Sequence, residues 1–180
     1  MECTLAAMLT AIALIAFAAP SYAATIKDER EKIQSVVETF RVSLIKKDTA
    51  TFLKLFLKPN IPWIGVTTDK TLARQSAGKT DSQAPPLEKL GPDDNPKDFI
   101  EWIAQNKAPV EETFENVRID TDGEVAQVWF DYTFIDNGYK QNWGKEAWHI
   151  VKTKDGWKIA SVIWSTELNP APPPKREVKR

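Results

Sequence analysis

Three two-residue turn signals in the second half of the chain constrain its fold more than any other feature. Asp122-Gly123, Asn137-Gly138 and Asp155-Gly156 each separate two segments in which apolar and polar residues alternate. Such pairs are typical of tight β-hairpins, because glycine and asparagine readily adopt the positive φ angles that these turns need. The three turns therefore predict four antiparallel strands in a meander over residues 111–168.

The segment before these strands is predicted to begin with helices. Over residues 25–47, apolar side chains recur at the i, i+3, i+4, i+7 spacing of one helix face. They are Ile33, Val36, Val37, Phe40 and Leu44. Asp48 then fits the N-cap of a short second helix, and Asn95-Pro96 fits the start of a third helix over about residues 96–107.

Between the second and third helices the pattern is weaker. Residues 63–68 could form a short strand, and residues 69–94, rich in Pro, Ser and Asp, are predicted to be a long loop. Helices followed by a strand meander indicate an α+β fold. The sequence therefore predicts three helices packed on one face of a curved, antiparallel four-stranded sheet.

The N-terminus predicts export. Residues 5–19 form an apolar run shorter than the ~20 residues that cross a bilayer, and Ser21 and Ala23 fit a signal-cleavage site. Residues 1–23 are therefore predicted to be a signal peptide cut after Ala23, giving a periplasmic or secreted protein with no stable membrane insertion. Because no Lys or Arg precedes the run, an uncleaved anchor is the alternative.

Composition narrows the function classes. The chain has 24 Lys and Arg against 25 Asp and Glu, so no positive excess predicts a nucleic-acid surface. It has one histidine, and its one cysteine, Cys3, lies in the predicted signal peptide, so neither a metal site nor another cofactor is expected. The domain is predicted to span residues 24–168, and the Pro-rich basic tail, residues 169–180, is expected to be disordered.

The hairpins also predict which side chains share a face. If each turn holds two residues, the numbers of any two residues that face each other across a hairpin add up to the same total. This rule places Phe130 between Glu115 and Lys145, and His149 beside Ala126. This face is the more continuously apolar one, so it is expected to meet the helices and to line any cavity together with aromatic residues from the first half of the chain. The candidates for the cavity lining are Trp63, Trp102, Glu115, Phe130, Tyr132, Trp143, Lys145, His149 and Trp164.

The opposite face of the sheet is predicted to be unusually apolar for a solvated surface. The same pairing rule places five large apolar residues on it: Trp129, Trp148, Ile150, Ile159 and Ile163. A patch of this kind suggests a partner surface, and a homodimer through this face is expected. Cover by the long loop or by the Pro-rich tail is the alternative.

The C-terminal hairpin resembles a known superfamily. It runs from Gly144 along a polar-to-aromatic strand, through Asp155-Gly156 and Trp157, to a closing strand that ends near Ser165. This order, with the long first helix and short second helix, resembles the nuclear transport factor 2-like superfamily, also called SnoaL-like or cystatin-like, over about residues 26–168. The resemblance implies a cone-shaped cavity between sheet and helices, frequent dimerisation through the sheet, and no single activity.

The catalytic patterns of that superfamily do not carry over to this sequence. The helix predicted over residues 25–47 has no Tyr, which the ketosteroid isomerase-like members use. One histidine cannot supply the paired His of the scytalone dehydratase-like members. The limonene epoxide hydrolase-like members use an Asp-Arg-Asp set, but Arg118, the only Arg of the predicted strands, falls on the outer face.

Three hypotheses for function follow. The leading one is a non-catalytic pocket protein that binds a small, largely apolar molecule. The alternative is an isomerase, dehydratase or cyclase in which His149 acts as acid or base, assisted by Glu115 or Tyr132. The third is a structural or interaction module that acts through the outer face bearing Trp129 and Trp148.

Overall fold

A computed structural model describes residues 22–77, 88–91 and 94–174. The predicted signal peptide up to Ser21 and the basic end of the tail from residue 175 lie outside the described residues. Within the described part of the chain, no helix is long and apolar enough to cross a membrane.

The predicted α+β architecture is confirmed, with helices followed by a curved sheet. The elements are α1 (Tyr22–Lys46), α2 (Thr49–Leu53), β1 (Trp63–Thr67), α3 (Asp69–Ala77), α4 (Pro96–Gln105), β2 (Val110–Thr121), β3 (Val125–Asp136), β4 (Tyr139–Thr153) and β5 (Gly156–Leu168). The sheet order is β1-β5-β4-β3-β2. The meander is antiparallel, and β1 pairs parallel with β5, which makes the sheet five-stranded where the sequence predicts four strands.

Local signals place the helices as the sequence predicts. The Asp48 side chain accepts a hydrogen bond from the Thr51 backbone N–H at 3.0 Å and caps α2. The Asn95 side chain accepts hydrogen bonds from the backbone N–H groups of Lys97 and Asp98, both at 3.0 Å, and caps α4. These contacts satisfy backbone donors that the first turn of a helix leaves without partners.

The helix α3 lies in the region that the sequence predicts as a loop. Only Thr71 of this helix is buried, so it has no apolar stripe from which a helix could be predicted. Contacts distant in sequence hold it instead: the Arg74 guanidinium donates to the Glu167 carboxylate and, at 2.6 Å, to the Leu168 carbonyl oxygen on β5.

The core lies between α1 and the inner face of the sheet. On α1 the predicted stripe is buried at Ile33, Val37, Phe40 and Leu44. Phe40 lies at its centre, with its ring centroid 4.8 Å from that of Trp148 on β4. Burial of these large apolar side chains supplies the main favourable contribution to folding.

The predicted pairing of β3 with β4 is wrong by one residue. Ile135 pairs with Lys140, but Phe134 pairs with Asn142, so Gln141 forms a bulge just after the Asn137-Gly138 turn. Beyond the bulge Val128 pairs with Trp148 rather than with Ala147. Because side chains alternate along a strand, a one-residue shift exchanges the two faces of β4.

This shift corrects the predicted outer face. Trp148 and Ile150 are fully buried in the core, and Ile159, which pairs with Ile150, is buried with them. Of the predicted outer residues, Trp129 and Ile163 remain on that face, where both flank Ala147 across neighbouring strands. Ile163 is 44% exposed.

A second irregularity shifts the register in which β2 pairs with β3. The pairing of β2 with β3 shifts between Glu115 and Arg118, where Asn116 adopts a positive φ of 54°. Glu115 consequently pairs with Asp131 and is exposed, so its predicted place beside Phe130 is wrong. Glu112 is buried instead.

The register of β4 can be tested by comparing two adjacent residues. Trp148→Ala should lower the free energy of unfolding by about 3–5 kcal/mol, because it removes a large side chain from a packed core. His149→Ala should change it by only about 0.5 kcal/mol, since this side chain is exposed. Urea unfolding measures both values, and equal costs would contradict the register.

Candidate functional site

A cavity of about 190 Å³ lies between the helices and the inner face of the sheet. Seven aromatic side chains dominate its wall: Phe40, Trp63, Phe99, Trp102, Tyr132, Phe134 and Trp164. The remaining lining residues are Asp94, Glu112, Gln141, Asn142, Glu146, Val162 and Thr166. Asp94 and the half-exposed Trp102 lie at its rim, so the cavity opens to solvent near the start of α4.

The aromatic wall is built by rings from four elements that contact one another. The Trp63 ring on β1 lies 5.5 Å from Phe99 on α4 and 5.5 Å from Trp164 on β5, measured between centroids. On the other side Phe134 of β3 lies 6.0 Å from Trp102. Tilted and edge-on contacts of this kind are favourable for aromatic rings, so they hold the wall in place.

Two buried carboxyl groups lie in this aromatic wall. Glu112 on β2 is 5% exposed and Glu146 on β4 is 4% exposed. Glu146 accepts a hydrogen bond from the indole Nε1–H of Trp148 at 2.5 Å, two residues along the same face of β4. Among the described residues, none donates a hydrogen bond to the Glu112 carboxyl, and none forms an ion pair with either acid.

Burial changes the protonation of this acid pair. Loss of solvation raises the pKa of Glu146 to about 7, against an opposing hydrogen bond from Trp148. The pKa of Glu112 is raised well above its usual range, first by burial and then by repulsion from Glu146. Glu146 is therefore close to the midpoint of its titration at neutral pH, and burial favours the protonated form of Glu112 over that of an ordinary glutamate.

Two other buried carboxylates in the chain show the opposite behaviour. Glu29 is bound by the Lys32 ammonium at 2.9 Å, by the Trp157 indole N–H at 2.7 Å and by Lys152, and these hydrogen bonds lower its pKa to about 2. The Thr68 hydroxyl and the Arg74 guanidinium lower the pKa of Glu167 to about 2 as well. Glu112 and Glu146 thus differ in having no cation beside them in the described part of the chain.

On β3, Tyr132 lies between Phe134, which pairs with Glu112, and Phe130, which pairs with Glu146, and its hydroxyl is already engaged. It donates to the Ser165 carbonyl oxygen at 3.0 Å and lies 3.4 Å from the Thr166 hydroxyl, and burial raises its pKa. Gly144, its neighbour on β4, permits this arrangement, because a Cβ there would lie 1.9 Å from the same Ser165 oxygen. The phenol is therefore held as a wall of the cavity.

The structure brings part of the predicted lining together. Trp63, Trp102, Tyr132 and Trp164 line the cavity, and Phe130 is fully buried in the adjoining core. Glu115, Trp143, Lys145 and His149 do not line it. Their predicted inward orientation is wrong because of the shifted registers of β2 and β4.

These four residues have partners elsewhere. Lys145 forms an ion pair with Asp131, and the Lys140 ammonium lies 4.3 Å from the centre of the Trp143 ring. His149 is exposed, with its Nδ1 2.8 Å from the Ser161 hydroxyl oxygen. A role for His149 as acid or base in the cavity therefore has no support in the geometry.

Sequence reasoning missed the acid pair. Glu146 alternates with Trp148 and Ile150, and the larger apolar volume of those two residues was a signal that this set, rather than Ala147 and His149, faces inward. Among the described residues, no group of three or more His, Cys, Asp or Glu side chains could hold a metal ion.

The acid pair predicts that stability falls as pH rises. Between the ordinary pKa of 4.5 and the raised value of about 7, Glu146 binds more protons in the folded than in the unfolded protein. Raising pH through this window should therefore remove up to about 3 kcal/mol from the free energy of unfolding. Glu29 and Glu167, whose pKa values are lowered to about 2, lose their contribution only at more acidic pH.

Urea unfolding at pH 5, 6, 7 and 8 measures this slope. Glu146→Gln should reduce it, whereas Glu111→Gln, at the exposed neighbour of Glu112, should leave it unchanged. A wild-type protein whose stability is flat or rises across this range would contradict the assignment.

The fold has many counterparts among solved structures. No protein-family model and no curated protein matches the sequence. A protein from Novosphingobium aromaticivorans, provisionally named a scytalone dehydratase, aligns with TM-score 0.56 and 15% identity over 80% of this chain and 87% of that chain. A provisionally named dehydratase of the nuclear transport factor 2-like family from Streptomyces avermitilis aligns with TM-score 0.53 and 14% identity over 79% and 99%.

A third counterpart carries the name of the fold itself. It is a nuclear transport factor 2-like protein with a cystatin-like fold from Novosphingobium aromaticivorans, with TM-score 0.53 and 8% identity over 78% of this chain and 83% of that chain. Identities this low show the fold and leave activity open. The chain has the nuclear transport factor 2-like, or cystatin-like, fold that the resemblance of its C-terminal hairpin predicts.

Proposed function

We propose that the cavity binds a small molecule with a largely apolar body and one polar group, and that this group meets Glu112 and Glu146. The observation that carries the proposal is a pair of buried carboxyls in an aromatic wall, beside which no described residue places a cation. Small-molecule sites typically combine mostly apolar surface with a few converging polar groups. The cavity has this combination, with seven aromatic side chains and the carboxyls of Glu112 and Glu146 in its lining.

The energetics of burial support a ligand as the missing partner. A buried polar group without a hydrogen bond costs about 1–3 kcal/mol, so folded proteins rarely leave one unsatisfied. No described residue donates a hydrogen bond to Glu112, and its carboxyl oxygens face the open cavity, since no fully buried side-chain oxygen or nitrogen of the described residues lacks a hydrogen-bond partner. A bound molecule that encloses this carboxyl would impose that cost unless it forms the hydrogen bond itself. A ligand that hydrogen-bonds to this carboxyl offsets the cost, and the aromatic wall holds the apolar body.

Filling the cavity should weaken the binding of a simple aromatic compound. Asn142→Trp introduces a large side chain at a lining residue of β4, and it should weaken the binding of benzyl alcohol at least about tenfold, since excluded volume removes the contacts. Lys140→Trp, at an exposed position on the same strand, is the matched control.

Chemical-shift changes of the backbone amides on titration with benzyl alcohol measure the affinity, and urea midpoints confirm that both variants fold. Equal affinity in Asn142→Trp and wild type would contradict binding in this cavity.

A second candidate function is acid–base catalysis by the same pair. The specific observation in its favour is the pKa of about 7 at Glu146, because a base of this strength transfers protons efficiently near neutral pH. Protonated Glu112 would donate a hydrogen bond to a substrate carbonyl oxygen, and the Glu146 carboxylate would take a proton from the adjacent carbon. Glu112 would thereby stabilise the enolate oxygen.

Proton exchange at carbon tests this candidate without knowledge of the natural substrate. The protein should accelerate exchange of the α-protons of 2-tetralone in D₂O, followed by proton NMR, and Glu146→Gln should lower the rate about 100-fold or more. The Glu111→Gln control should keep the wild-type rate. A wild-type rate equal to that of buffer alone would leave this enzyme candidate without support and leave the binding proposal standing.

A further inference from the structure

We propose that the molecule bound in this cavity is an organic cation, a protonated or quaternary amine on an apolar body. This inference rests on the proposed binding function and names the class of ligand for the same site. Three observations support it: the charges of the residues that line the cavity, the aromatic rings of the lining, and the Glu112 carboxyl, beside which no described residue places a cation.

The charges that the lining can carry are all negative. The titratable lining residues are Asp94 before α4, Glu112 on β2, Tyr132 on β3 and Glu146 on β4. The other packed elements contribute Phe40, Trp63, Phe99, Trp102, Val162, Trp164 and Thr166, none of which titrates. Within the described residues, no Lys, Arg or His lines the cavity, so an anionic ligand would meet only like charge.

The aromatic wall suits a cation as well as it suits an apolar body. A positively charged nitrogen is attracted to the negative face of an aromatic ring, most strongly to that of tryptophan. Trp63, Trp102 and Trp164 all lie in the lining. Cages of aromatic rings are the surroundings in which proteins recognise quaternary ammonium groups.

The Glu112 carboxyl lines the cavity, and no described residue places a hydrogen-bond donor or a cation beside it. Where this chain buries a carboxylate elsewhere, at Glu29 and Glu167, it places Lys or Arg beside it. At Glu112, which is 5% exposed, no described residue takes that place. A bound cation supplies the counter-charge that the protein supplies at the other two sites.

Cation binding and proton release are linked in this arrangement. An ammonium group favours the ionised form of the pair, so it displaces a proton and binds more tightly as pH rises. A neutral ligand carries no charge that favours the ionised form, so its affinity does not rise in this way over the same range. The sign of the pH dependence therefore distinguishes the two ligand classes.

Two benzyl compounds, one charged and one neutral, provide the test. Benzyltrimethylammonium carries a charge that does not titrate, and benzyl alcohol is its neutral counterpart. Isothermal titration of the wild-type protein should give an affinity for benzyltrimethylammonium about tenfold higher at pH 8 than at pH 6, given one proton released from a group with a pKa of about 7. The affinity for benzyl alcohol should not rise.

Variants locate the effect in the acid pair. Glu146→Gln should remove the rise with pH and weaken benzyltrimethylammonium binding about tenfold at pH 8, while benzyl alcohol still binds; Glu111→Gln should behave like wild type. The wild-type pH dependence stands as a test on its own if Glu146→Gln does not fold.

The two possible failures are distinguishable. Binding of benzyl alcohol without tighter binding of the ammonium compound at pH 8 would overturn the cation inference and leave the proposed function in place. Absence of binding by either compound would overturn both.

Discussion

The bulge at Gln141 determines which side chains β4 directs toward the helices. It adds one residue between the Asn137-Gly138 turn and the long pairing of β3 with β4, so Trp148 joins the core and Glu146 joins the cavity wall. Without this extra residue the same strand would direct Lys145 and His149 inward. The chemistry of the cavity therefore depends on a backbone irregularity just after a tight turn.

Burial of the acid pair lowers the stability of the folded domain, and packing elsewhere in the domain offsets this loss. Two buried carboxyls without counter-charges destabilise a fold, whereas apolar residues of similar size would not. The core beside them is dense in aromatic contacts, with Phe40 against Trp148 and Phe114 against Phe130 at centroid distances of 4.8 and 4.6 Å. Retention of a costly group in a well-packed domain is typical of a site under functional rather than structural constraint.

Sequence alone predicts the elements that local patterns determine. The stripe of α1, the capped starts of α2 and α4, and the positive φ at Asn137 and Gly138 follow from spacing and turn chemistry. The inward set of β3, which includes Val128 and Tyr132, also follows, because its alternation is uninterrupted.

Features that depend on distant contacts could not be predicted in the same way. Gln141 lies among other polar residues and carries no mark of a bulge, and α3 depends on Arg74 reaching Glu167 on β5. The parallel pairing of Trp63 with Val162 joins strands far apart in the chain. Glu112 and Glu146 were missed because a one-residue shift moves a carboxylate from the surface to the core without changing the sequence pattern.

The most direct test of this account is the titration of the glutamate side chains themselves. Carbon-13 NMR of protein labelled at the glutamate carboxyl carbons, with signals assigned from Glu112→Gln and Glu146→Gln, follows each group across the pH range. We expect the Glu146 signal to titrate with a midpoint of about 7 and the Glu112 signal to titrate well above the range of an ordinary glutamate. Ordinary midpoints near 4.5 for both groups would contradict the existence of a buried acid pair without counter-charge.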